Sequence, residues 1–208
     1  METLKEPFNI LVAKYTERPA FAERLWNELE LAYMHSSRRY HNLSHLERML
    51  GELSAVKEQV KNWDAILFAL FYHDVVYDPS GNDNEEQSAA LAKKRMREIG
   101  VMPYTIENCK IAILATKQHF SSDDPDLGYF LDADLSVLGA DWDTYYRYLL
   151  SIREEYHMYP DDLYIIGRKK ILQNFLNMLS IFKTRYFSDR LEQQARENIT
   201  LEIQLLDA

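Results

Sequence analysis

The chain predicts an all-α fold of about eight to ten helices, and three observations carry that expectation. Only six glycines and six prolines occur among 208 residues. Most of them fall between periodic segments, at Pro19, Pro79 to Gly81, Gly100 to Pro103, Pro125 to Gly128, Gly139 and Pro160. Between these breaks apolar residues recur at steps of three and four, and no stretch alternates with period two as a half-buried strand would.

Taken in order, the spacing predicts helices over 7–17, 19–36, 43–60, 62–74, 84–99, 103–119, 141–157, 161–187 and 189–206. Asn42 or Ser44 is placed to cap the third of these. The fourth carries the stripe Trp63, Ile66, Leu67, Leu70 and Phe71. Asn84, Glu85 and Glu86 open the next helix after the turn Asp78-Pro79-Ser80-Gly81, where acidic side chains suit the helix dipole. Cys109 shares helical spacing with Ile106 and Ile113 and reads as a small buried hydrophobe. The segment 120–140 reads as a loop with short helical turns. Ile171, Phe175, Met178 and Phe182 form one long stripe, and Leu191, Ala195, Ile199 and Ile203 repeat every four residues. No internal repeat or linker interrupts the chain, so 1–208 reads as a single domain whose C-terminal helices, from about residue 160 onward, pack against the rest.

The composition removes several classes of function. The formal net charge is −9 and basic residues do not cluster, which argues against a nucleic-acid surface. It leaves small phosphate substrates open, because a bound metal supplies local positive charge. No run of about 18 apolar residues suggests a membrane span. The N-terminus lacks a signal peptide's apolar region, and the single cysteine has no internal disulfide partner. A cytoplasmic protein is the expectation.

Chemistry concentrates in four residues far apart in sequence: His45, the adjacent pair His73-Asp74, and Asp134. His73 and Asp74 follow an apolar helix ending in Leu70-Phe71-Tyr72, a setting that can hold two adjacent ligands on one ion. Imidazole nitrogen with carboxylate oxygen suits one divalent metal ion: Mn, Fe, Co, Ni, Zn or Mg. His41 and His45 lie four apart and would share a helix face, but Asn42-Leu43-Ser44 lacks the glutamate base of a zinc-protease helix. Asp132 and Asp134 both sit among apolar residues, where an unpaired carboxylate is costly. Residues i and i+2 on a helix diverge, so Asp134 is the expected ligand and Asp132 a cap or supporting partner.

Read together, these strings resemble the HD-type metal-dependent phosphohydrolases, in particular the bacterial subfamily that opens with Tyr-His-Asn-x-x-His. The resemblance is carried by Tyr40-His41-Asn42 with His45, Phe71-Tyr72-His73-Asp74 with Tyr77-Asp78, and Asn84-Glu85-Glu86 with Ser88-Ala89. It continues through Thr116 with His119, Asp132-Ala133-Asp134-Leu135, Ile152-Arg153-Glu154-Glu155-Tyr156 and Gly167-Arg168. It implies an HD-domain helical bundle in which His45, His73, Asp74 and Asp134 bind one divalent ion. It also implies hydrolysis of a phosphoester by metal-activated water, with a small phosphorylated molecule or a nucleotide as substrate. Binuclear relatives carry two further histidines in the middle region, and here only His119 stands there, which favours a mononuclear site.

Around the metal, Asp74, His119 and Glu85 are the expected catalytic groups. Asp74 would be both ligand and proton acceptor, Glu85 would orient water, and His119 would donate to a phosphoryl oxygen or leaving group. Arg39, Arg153 and Arg168 are candidate phosphate clamps, with His41 beside them, because a guanidinium pairs with phosphate bidentately. The alternative function is a metal-containing, nucleotide-binding regulatory HD protein with little turnover. A di-iron oxygenase needs about six protein ligands and has too few histidines to draw on, and a helical interaction protein leaves the joined motifs unexplained. An assembly of identical copies stays open.

Overall fold

The computed structural model describes residues 2–118 and 124–207. Among them lie ten α-helices, two 3-10 helices and no strand. The helices are α1 (Glu2–Ala13), α2 (Pro19–Tyr33), α3 (Leu43–Ala55), α4 (Trp63–Tyr72), α5 (Asn84–Glu98), α6 (Pro103–Ala115), α7 (Pro125–Asp134), α8 (Trp142–Glu155), α9 (Asp161–Asn177) and α10 (Arg185–Leu206). The all-α expectation holds. Among the described residues no helix is long and apolar enough to cross a membrane.

The centre of the bundle is α4. Every residue from Ala65 to Tyr72 is buried, so the helix is apolar on all sides and must be enclosed. The enclosing helices are α1, α3, α5, α6 and α7. One continuous cluster of buried side chains runs from Leu4 on α1 to Ile199 on α10.

Side-chain caps set where the helices begin. Asn42 accepts from the Ser44 amide at 2.9 Å and starts α3, which settles the choice between Asn42 and Ser44. Asp141 and Asp124 start α8 and α7 in the same way. Helix α5 ends at Gly100, whose φ of +81° is the left-handed conformation a glycine adopts without strain. The Val101 amide then reaches back to the Met96 carbonyl at 3.0 Å and closes the turn.

Two predicted segments are corrected. The segment 120–140 contains a ten-residue helix, α7, followed by the 3-10 helix Leu135–Gly139. The predicted helix over 161–187 breaks after Asn177, because polar groups on α10 fold the chain between α9 and α10. Glu192 accepts from the amides of Ile181 and Phe182, and Arg196 donates to the carbonyls of Leu176, Met178 and Leu179. Ile181 and Phe182 are buried in the break. Gly139 then allows α10 to lie against the 3-10 helix, since a Cβ there would meet the Leu191 backbone oxygen at 2.7 Å.

Candidate metal centre and adjoining cavity

Three helix ends meet at the four predicted ligands. His45 lies in the first turn of α3, His73 caps the C-terminus of α4, Asp74 follows it, and Asp134 is the last residue of α7. The ligand atoms converge. His45 Nε2 is 3.2 Å from His73 Nε2 and 3.1 Å from Asp134 Oδ1. His73 Nε2 is 3.0 Å from Asp74 Oδ2 and 3.8 Å from Asp134 Oδ1. His45, His73 and Asp74 each offer an atom within 4.8 Å of the others. The imidazoles are buried, and the carboxylates form the more open edge.

The backbone around the doublet is held by residues the motif reading did not single out. The buried Arg38 guanidinium donates to the carbonyls of Asp74 at 2.5 Å, Val75 at 3.0 Å and His41 at 3.2 Å. The Asp74 amide donates to the Tyr33 hydroxyl at 3.2 Å. On the ring itself, His73 Nδ1 lies 3.0 Å from the Leu70 carbonyl and must donate to it, which turns Nε2 toward the cluster.

The donor set fits a cation. His45 Nε2 can donate to Asp134 or accept from His73, but not both. His45 Nδ1 is buried with no hydrogen-bond partner, and a cation at Nε2 would leave it so. A divalent ion about 2.1 Å from each donor places neighbouring ligands about 3.0 Å apart in an octahedron and about 3.4 Å apart in a tetrahedron, which brackets most of the separations here. Without a cation, charge is managed by a proton. Burial favours neutral His73, but Asp74 and Asp134 outweigh it and hold the imidazole up to about 9. Burial likewise opposes ionised Asp74, and His73 outweighs it and holds the carboxyl well below its ordinary range. His45 has no such surplus, and its burial lowers its pKa.

Asp132 serves as a cap, while Asp134 Oδ1 lies 3.1 Å from His45 Nε2. Asp132 is fully buried and accepts from the Lys183 and Thr184 amides and the Thr184 hydroxyl, each at 2.7 Å. It therefore anchors the N-terminus of α10, a cap supplied from another helix rather than from the neighbouring chain.

His41 precedes α3 rather than lying on it, so it shares no helix face with His45. It is fixed by Glu155, a residue that carried no assigned role. One oxygen of Glu155 accepts from the amides of Arg39, Tyr40 and His41 at 2.8, 2.8 and 2.9 Å. The other lies 2.6 Å from His41 Nδ1 and 2.8 Å from the Tyr77 hydroxyl. Burial would raise the Glu155 carboxyl, but the His41 and backbone hydrogen bonds prevail and bring it to about 2.

A cavity of about 900 Å³ opens beside the cluster, with Asp134 and His41 in its wall. Of the four predicted substrate contacts, His41 and Arg168 line it; Arg39 and Arg153 do not. Arg39 is exposed and faces Glu154 at 3.3 Å. Arg153 is engaged by Asp161 and by the carbonyls of Tyr156 and Tyr159. Arg168 is buried, pairs with Glu202 at 2.7 and 3.0 Å, and meets the Tyr148 hydroxyl at 3.2 Å. Glu85 lies in the first turn of α5 and faces Lys117 at 3.5 Å. His119 lies outside the described residues. No protein-family model, curated protein or solved structure matches the chain.

Proposed function

We propose that this protein is a divalent-metal-dependent phosphohydrolase of the HD type, cleaving a phosphoester by metal-activated water. The observation that carries this reading is the cluster of His45, His73 and Asp74, with Asp134 Oδ1 3.1 Å from His45 Nε2 and Asp134 in the wall of the adjoining cavity. Two imidazoles with two carboxylates favour Mn, Fe, Co, Ni or Zn over Mg, which prefers oxygen ligands and retained waters. A bound divalent ion would supply Lewis-acid activation of water and of a phosphoryl oxygen.

The chain's own groups supply the rest. Asp74 and Asp134, on the open edge of the cluster, would each keep the oxygen not given to the ion as an acceptor for a proton leaving the attacking water. His41, held at Nδ1 by Glu155, is placed at the cavity wall to donate toward a phosphoryl oxygen. The burial of His45 and His73 keeps bulk water from the nitrogen side, where a screening solvent would weaken every charge interaction.

The test measures metal content on protein purified without chelator, then screens phosphate esters with Mn, Co and Mg. The reading expects about one equivalent of metal and turnover that is lost in His73→Ala and Asp74→Ala. Inertness of the metal-replete protein across the panel would sink the enzyme reading, and turnover surviving the loss of both ligands would sink this site.

A further inference from the structure

We propose that the cavity beside the cluster takes the organic group of the substrate, and that the substrate is the phosphate monoester of a large apolar, aromatic alcohol rather than a polyphosphate. This rests on the phosphohydrolase reading for the reaction, but the cavity makes its own case. In that reaction the ester P–O bond to the alcohol breaks, a P–O bond to water forms, and the alcohol leaves carrying a proton.

The cavity is continuous with the cluster through Asp134 and His41, and its volume of about 900 Å³ lies within the range of small-molecule sites. One side is a single face of α9, with Leu163, Gly167, Ile171 and Phe175 at helical spacing. Leu138 from the 3-10 helix and Ile152 from α8 belong to the same wall, with the rings of Tyr148, Tyr156 and Tyr159. Aromatic walls favour a flat apolar guest through stacking and edge-to-face contacts.

Three features of α9 call for an occupant. Leu163 is 56% and Ile171 49% exposed, although both face the cavity rather than open surface alone. At Gly167 an added Cβ would meet nothing within 4 Å, so no close packing demands glycine there. A mid-helix glycine nevertheless weakens a helix relative to alanine. Its position leaves the cavity face of α9 bare where a guest would lie.

Charge excludes the polyphosphate. Besides His41, which the proposed function assigns to the reacting phosphoryl group, the basic side chains among the described lining residues are Arg168 and Lys117. Arg168 is neutralised by Glu202 in a buried pair, and Lys117 is held by Glu86 at 2.6 Å with Glu85 at 3.5 Å. Neither is left to balance a second or third phosphate away from the cluster.

The experiment has a turnover arm and a binding arm. With Mn-loaded protein, the ratio kcat/KM should be at least about tenfold higher for 2-naphthylmethyl phosphate, an ester of an ordinary alcohol, than for methyl phosphate, and higher than for AMP or tripolyphosphate. Faster hydrolysis of AMP or tripolyphosphate than of the naphthyl ester would overturn the proposal. In the binding arm, calorimetry compares naphthylmethylphosphonate, whose C–P bond resists hydrolysis, with methylphosphonate. The naphthyl compound should bind at least about tenfold tighter, and Gly167→Trp, which fills the bare face, should abolish that preference. Equal binding of the two phosphonates, or a preference that survives Gly167→Trp in a variant of unchanged melting temperature, would refute the cavity assignment. If no ester turns over while the phosphonate preference holds, the hydrolase reading fails and the cavity assignment stands.

Discussion

The histidine–carboxylate cluster and the cavity beside it are built on opposite terms. At the cluster, three helix ends converge, the two histidines are 3% and 1% exposed, and Arg38, Tyr33 and Glu155 hold backbone groups of Asp74 and of the segment before α3. At the cavity, one long helix stands against its neighbours with apolar side chains half open to solvent and a glycine where an added Cβ would meet nothing. Buried polar groups tolerate little displacement, because each lost partner leaves a desolvated atom behind. An apolar wall has no such constraint and adapts to shape and size. A rigid ligand set therefore sits beside a surface free to vary, an arrangement that would separate the reaction performed from the molecule it is performed on.

Substitutions can test that contrast. The largest effect is expected at the cluster. His45→Ala, His73→Ala and Asp134→Ala should each reduce bound metal from about one equivalent to a small fraction, because three ligands with one position lost hold a divalent ion far less tightly. Elemental analysis reads this directly, and full metal retention in all three would dissolve the comparison.

Next comes Glu155→Ala, which strands three amides, the Tyr77 hydroxyl and His41 at once. A loss of about 3 to 5 kcal/mol of unfolding free energy is expected in urea titration. The same residue predicts a pH dependence. Its folded pKa, about 2, lies below the ordinary 4.5, so its contribution is present above about pH 4.5 and fades as pH falls through about 2. That difference corresponds to stabilisation on the order of 3 kcal/mol. The stability gap between wild type and Glu155→Gln should accordingly narrow between pH 5 and pH 2, and a constant gap would remove the ionised carboxylate from the account.

A smaller loss is expected at Asp132→Ala, about 1 to 2 kcal/mol, from the uncapped start of α10. Because Asp132 lies on α7 two residues before Asp134, weaker metal binding should accompany the stability loss, which sets it apart from an ordinary cap. The smallest effect is a gain. Gly167→Ala should stabilise α9 by about 0.5 to 1 kcal/mol, since nothing opposes the added methyl. A loss of stability there would mean that the α9 face is packed rather than bare, and the contrast between the two regions would narrow.

The residues legible in advance were those whose chemistry is unusual for their surroundings. His45, His73, Asp74 and Asp134 stood out through the motif strings they belong to, and the structure brings His45, His73 and Asp74 together, with Asp134 3.1 Å from His45. Glu155 appeared only as one letter of the string Arg153-Glu154-Glu155-Tyr156. Nothing local separates it from Glu154, which is exposed beside Arg39, whereas Glu155 is 2% exposed. The same holds for Arg38 and Arg39: adjacent residues of one type, the first buried beneath the His-Asp doublet and the second facing solvent. The predicted helix over 161–187 failed for a related reason. Its apolar stripe continues through Phe182, while the groups that break it, Glu192 and Arg196, lie on the following helix.

By itself the sequence determined the helical class and the histidine and aspartate strings in which the candidate ligands lie. These follow from apolar period and residue chemistry, which are properties of a segment and its immediate neighbours. Only the tertiary structure decided which of two adjacent arginines or glutamates is buried, that Asp132 anchors α10 while Asp134 faces the cluster, and that one face of α9 is left bare over a cavity. Those outcomes depend on partners 36 to 116 residues away along the chain, and a group's burial, protonation and hydrogen bonds are set by what packs against it rather than by what precedes it.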